Sequence, residues 1–306
     1  MTTTTPSAAV QEAWRDQRRW SNAANALKSG ILFWRTTALG LAIASAVLAT
    51  LATQVGLKTG LGQSLSVAAA VVLAGLPVIR TTRLGKERIA AWTRARSVSE
   101  GLKEEVYLYL TGSPPYDGTE PGVALSRKSL AITQDARDID GHTLGRRDDD
   151  KPLPDVDGVD SYLSNRVHPQ IRWYSGGAAK QQRRLGQFRA VEFALAMVGA
   201  VLGAVAAATK INAVGAWVAV VTTVAAAITA HIAAARYEHL VITYLSTARQ
   251  LRARAAEWGV TTDRSSDAAV RLIRECEDII SRENESWMAA WTRDEGEGAA
   301  PAPASP

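Results

Sequence analysis

The chain is short of the groups that redox, metal and nucleophilic chemistry use. One cysteine, Cys276, stands in 306 residues, so no intramolecular disulfide and no cysteine metal cluster can be built. The histidines His142, His168, His231 and His239 are dispersed, and no helix pairs two of them as a metalloprotease would. The glycine-bearing segment GLKTGLGQS at 56–64 is not a phosphate loop, because Lys58 precedes Gly60 instead of following it. No nucleophile–base pair is evident, and neither is a charge ring, a selectivity filter or a set of broken helices. An enzyme, an ion channel and a secondary transporter are all disfavoured, and no metal or cofactor is expected. Residues 1–10 have neither a basic start nor an apolar core, so no cleavable signal peptide is read there. The first apolar run is expected to act as an uncleaved signal-anchor.

Charge is also missing, and this absence has a pattern. Residues 36–57 carry none, and neither do residues 64–79, which reach spanning length if 61–63 join them. Two further runs, 190–208 and 212–235, hold only Glu192 and His231 as ionisable groups. At about 1.5 Å of rise per residue, some 20 residues cross the hydrocarbon layer of a bilayer. These runs are rich in Ala, Gly and Thr, and alanine is only weakly lipophilic. A soluble protein could bury such helices, but a core helix more often shows a polar stripe. Four charge-poor runs in two tight hairpins favour membrane spans at 36–57, 61–79, 190–208 and 212–235.

The charge that is present sits beside the runs. Net charge is +5 and the pI is about 9.4. Arg15, Arg18, Arg19, Lys28 and Arg35 precede the first run, and Arg80, Arg83, Lys86, Arg88, Arg94 and Arg96 follow the second. No groove-like patch interleaved with aromatics is formed, so the partner expected is a lipid bilayer and not nucleic acid. The hairpin loops carry only Lys58 and Lys210. By the positive-inside rule both termini and the central linker are cytoplasmic, in the inner (plasma) membrane.

The order repeats. A basic, Trp-bearing helix, two apolar runs and an amphipathic helix occupy 9–112, and recur over 161–291. Arg172-Trp173 echoes Arg19-Trp20, and Arg189 stands before the third run as Arg35 stands before the first. Residues 1–8 and 292–306 are expected to be disordered. The Asp-, Gly- and Pro-rich linker 113–160 reads as mostly loop, with one short element near 124–133. Its acidic residues 148–150 are ordinary solvated surface.

Within the spans, Gly199 and Gly203 form a GxxxG pair, with Ala196 and Ala200 at related spacing, so these are candidates for close helix packing. Thr50, Thr53, Thr222 and Thr223 are candidates for a wetted interior, although threonine also bonds back to its own helix. Glu192 and His231 are ionisable groups close enough to the span ends to snorkel. Trp92 on the helix after span two, with Ile273, Ile280, Trp287 and Trp291 on the last helix, marks apolar faces that could serve assembly or a partner.

The strings SYLSNRVHPQIRWYS (161–175), YLSTARQLRARAAEW (244–258) and CEDIISRENESWMAAW (276–291) resemble the SLATT family, the SMODS- and SLOG-associating two-transmembrane effector domains. RRWSNAANALKSGILFWR (18–35) and WTRARSVSEGLKEEVYLYL (92–110) resemble a divergent first copy, without a counterpart of the 276–291 helix. The resemblance implies an all-α membrane protein of two tandem helical hairpins with cytoplasmic amphipathic helices. It further implies a homo-oligomeric, pore-forming effector of a bacterial conflict system, linked to a nucleotide synthetase or a nucleotide-sensing protein. Two other readings stay open: a non-toxic membrane scaffold that recruits a cytoplasmic partner through its amphipathic helices, and a soluble helical protein.

Overall fold

The computed structural model describes residues 7–145, 151–209 and 212–297, without the side chains of 212 and 284–297. Among the described residues every element is helical. Nine α-helices follow one another: α1 (Ala8–Val55), α2 (Gly60–Arg83), α3 (Lys86–Leu110), α4 (Pro121–Gln134), α5 (Val159–Tyr162), α6 (His168–Thr209), α7 (Asn212–Ala235), α8 (Tyr237–Val260) and α9 (Ser266–Glu297). A 3-10 turn lies at Arg137–Thr143, and a π turn at Leu163–Val167 joins α5 to α6. The long helices run in two series of similar length. A helix of 48 residues, one of 24 and one of 25 are answered by helices of 42, 24 and 24.

Four helices are long and apolar enough to cross a membrane, and the chain is an all-α membrane protein. Of the residues in their most apolar windows, at most 17% are buried by protein. A soluble core helix would bury far more, because water penalises exposed apolar area by about 25 cal/mol per Å². Phe33, Val71, Leu73, Phe193 and Val201 all stand more than half exposed, as lipid-facing side chains do.

The chain forms two compact units, each drawing on both halves of the sequence. The first comprises Met1–Lys28, Lys86–Gly177 and Thr243–Pro306, and the second Ser29–Gly85 and Ala178–Ile242. In the second unit the α1–α2 turn is fixed by local chemistry. Gly56 ends α1 at φ +97°, a left-handed conformation that glycine adopts without strain. Thr59 caps α2, its hydroxyl accepting from the Gly62 amide at 3.0 Å. A Cβ on Gly62 would lie 2.2 Å from the Gly56 carbonyl oxygen, so the turn closes only over glycine. The glycines that fail as a phosphate loop are therefore the parts of a hairpin. Buried Ser45 Oγ donates to the Ala69 carbonyl at 3.1 Å, tying α1 to α2, and Gln54 Nε2 donates to the Ala213 carbonyl at 2.9 Å, tying α1 to α7.

In the first unit α3 packs against both α4 and α9. Leu102 and Val106 of α3, Leu125 of α4 and Cys276 of α9 are wholly buried. In the segment 113–160 the short element expected near 124–133 is α4, and the 3-10 turn at Arg137–Thr143 is additional to it. Pro121 starts a 14-residue helix at its favoured first position, and Leu125 and Ser129 are buried within the unit. Residues 292–297, expected as part of a tail, continue α9. The expected disorder of 1–6 and 298–306, and the acidic residues 148–150, lie outside the described residues.

Candidate functional site

The residues singled out within the spans fall in the second unit, and the structure separates them. Gly199 approaches α7: a Cβ there would meet Val221 Cγ1 at 3.4 Å. Gly203 has nothing within 4 Å of that position, and Ala196 and Ala200 are exposed on the chain. Half of the GxxxG pair thus serves packing within the chain, and the other half faces outward. Thr222 and Thr223 donate to the Val218 and Ala219 carbonyls of their own helix, and Thr53 donates to the Thr50 carbonyl at 2.7 Å. Glu192 accepts a hydrogen bond from the Thr229 hydroxyl of α7, which joins the third and fourth spans through a polar contact. His231 lies against the rings of Phe188 and Tyr237, at centroid distances of 5.0 and 6.4 Å.

The amphipathic faces have a different use from the one expected. Trp92, Ile273 and Ile280 are at most 4% exposed, in the core of the first unit. These side chains hold the unit together instead of lying open to a partner, because α9 lays its apolar face on α3. Trp287 and Trp291 lie on α9, in the part whose side chains are not described.

The first unit holds a set of buried charges that sequence reasoning missed. Arg166 and Glu277 are each 2% exposed. Arg166 Nε donates to Glu277 Oε1 at 3.0 Å and Nη2 to Oε2 at 2.7 Å, a bidentate pair. Tyr162 Oη donates to Glu277 Oε1 at 2.8 Å, and the guanidinium carbon lies 4.8 Å from the centre of the Tyr107 ring. Burial works against the Arg166 charge, but Glu277 outweighs it and holds the pKa well above the ordinary arginine value. The π turn that carries Arg166 has the local geometry often found at functional positions. Tyr162 and Arg166 are four apart, a legible spacing, but nothing along the chain points to Glu277.

A second group surrounds Glu283. Tyr174 Oη donates to its Oε2 at 3.1 Å, and Arg96 Nη2 is 3.4 Å from the same oxygen. Burial raises the Glu283 pKa, although Arg96 pulls it down. Burial likewise opposes the Arg96 charge, while Glu283 and Glu100 keep its pKa raised. Beside this group lies an open cavity of about 480 Å³. Its wall includes Lys28 of α1, Trp92, Arg96 and Lys103 of α3, Lys151, and Trp173 of α6. Lys151 is anchored through its carbonyl, which accepts from the Trp14 indole at 3.1 Å. Among the described residues no three His, Cys, Asp or Glu side chains converge as metal ligands would.

Residues 162–287 match the model of the SMODS and SLOG-associating 2TM effector domain 1 family. Residues 16–122 match a second model, that of a family of proteins of unknown function, DUF4231. No curated protein and no solved structure matches the chain significantly. The first match takes in the Arg166–Glu277 pair, both spans of the second hairpin and most of α9, which agrees with the reading of the 161–291 motifs. The likeness of this membrane protein to the SLATT family of two-transmembrane effector domains therefore rests on residues 162–287, which match that family's model.

Proposed function

We propose that the chain is a pore-forming effector of a bacterial conflict system, inserted in the inner membrane with both termini and the helical first unit in the cytoplasm. Four spans in two hairpins, one of them within a two-transmembrane effector domain, are the observation that supports this most. The orientation follows from the basic residues beside the spans, against Lys58 alone among the charged groups described in the loops. The reaction is physical and not chemical: assembled spans admit water and ions where polar groups line a path. Thr50, Thr53, Thr222 and Thr223 supply hydroxyls for such a path, and the outward-facing strip at Ala196, Ala200 and Gly203 suits contact with a second copy. A nucleotide synthetase or a nucleotide-sensing protein encoded nearby would supply the trigger.

Induced expression in bacteria, read by a membrane-potential dye and an impermeant DNA stain, tests this. Membrane-located protein with depolarisation is the expected result. Membrane-located protein that leaves potential and dye exclusion intact, with nucleotide synthetases co-expressed, would sink the pore reading.

A further inference from the structure

We infer that the basic end of the second unit is a recognition surface for anionic phospholipid, with arginine side chains of α2 and α6 on the headgroup phosphates. The second unit carries ten lysine and arginine residues against two carboxylates, Glu192 and Glu238. Lys58 and Lys210 lie at the hairpin loops, and the other eight flank the spans. Contacts between helices bring the flanking charges to one end. The Gln54 bond to the Ala213 carbonyl sets the loop ends of α1 and α7 side by side. At the far end the Arg83 guanidinium lies 5.2 Å from the centre of the Trp34 ring, joining the end of α2 to α1. Arg35 of α1 faces the like charge of Arg236, and Arg35 and Arg184 of α6 both lie within electrostatic range of Tyr237.

The unit's own carboxylates do not neutralise this end. Glu238 is taken by Arg189, and Glu192 accepts from Thr229. Arg80, Arg183 and Arg184 are exposed and make no ion pair among the described residues. Lys180 and Arg184 stand four apart on α6, with Arg183 three from Lys180, and like charges at this spacing destabilise a helix. A bound anion relieves that repulsion. Position decides which anion. Arg80 directly follows the second apolar run, and Arg183 and Arg184 precede the third by about 9 Å of helix. An extended arginine side chain covers much of that distance. Trp34, Phe188 and Tyr237 stand at the same end, as aromatic residues do at the headgroup level. A soluble acidic partner would not call for rings at that depth. The guanidinium fork binds phosphate oxygens in pairs, so a phosphodiester suits it. A zwitterionic headgroup would bring its own cation to an end already crowded with them. Each cation near an anionic surface strengthens association about fivefold. The claim needs the membrane fold and not pore formation.

The test uses the full chain purified in detergent and equilibrated with equimolar phosphatidylglycerol and phosphatidylcholine, with bound lipid counted by native mass spectrometry. Phosphatidylglycerol is expected to exceed phosphatidylcholine on the chain at least about fivefold. The triple variant Arg80→Gln, Arg183→Gln, Arg184→Gln is expected to bring the ratio below about twofold with an unchanged thermal melt, since all three side chains are exposed. Lys58→Gln, at the loop end, is expected to keep the wild-type ratio. Glycerol 3-phosphate in excess is expected to leave the bound lipid in place. Equal binding of the two lipids by the wild type overturns the inference, and that comparison needs no variant to fold. It is overturned equally by a folded triple variant that keeps the preference, by a Lys58 variant that loses it, or by displacement with glycerol 3-phosphate, which would mark a site for soluble phosphate. Failure here leaves depolarisation in cells unaffected, and failure to depolarise leaves the lipid ratio unaffected.

Discussion

Glu277 is the single residue on which the first unit depends most. It compensates the guanidinium of Arg166 in a site almost closed to water, and it accepts from Tyr162. Truncating one partner of such a pair typically costs about 3–5 kcal/mol, because the other charge stays buried and uncompensated. Glu277→Ala is therefore expected to lower the thermal midpoint of the purified chain sharply. The double variant Arg166→Met, Glu277→Leu should recover most of the loss, and a double variant no better than the single would contradict the pairing. Glu104 behaves in the opposite sense. Burial first, and then the negative charges of Glu277, Glu105 and Asp278, push its pKa from 4.5 up to about 7, with Arg166 acting against them. The folded chain thus holds this proton when the unfolded chain has lost it. Its stabilising contribution is complete below pH 4.5 and is lost as pH rises through 7. Glu104→Gln is expected to be more stable than the wild type at pH 8 by roughly 1–2 kcal/mol, allowing for partial solvent access, with the difference shrinking towards pH 5. Thermal melts of both proteins across that range check it. Neither residue was legible as special. Arg166 and Glu277 are separated by 111 positions, and only the packing of α9 brings them together.

At the scale of elements, the spans were the easiest part to read, because the absence of charge over some 20 residues has few structural explanations. The turn joining α1 and α2 was read only by what it is not. Its glycines answer a steric need, and Gly62→Ala is expected to disturb the hairpin, since the new methyl would fall on the Gly56 carbonyl. Reduced expression and membrane insertion of that variant would show it. The face of α9 was also legible as apolar, but periodicity shows that a face must be covered and not by what; α3 covers it. The paired glycines of α6 divide along the same line. Gly199→Leu must push Val221 aside and is expected to destabilise the single chain. Gly203→Leu meets nothing within the chain and is expected to leave its melt unchanged while weakening any association between copies. Melting and crosslinking of the two variants, side by side, separate these effects.

At the scale of the molecule, the tandem order of the sequence does not become two tandem bodies. Segments from both halves of the sequence build each compact unit. A sequence repeat gives the element order and lengths, but the grouping depends on long-range contacts such as α3 with α9. One unit holds the lipid-facing helices, and the other holds the buried charges and the cavity. The account proposed for them is of a membrane effector whose assembled spans admit water and ions. Dye release from liposomes by the purified, reconstituted chain tests it most directly. Release that rises with protein-to-lipid ratio is the expected result. Fully inserted protein that releases no dye at any protein-to-lipid ratio would contradict it.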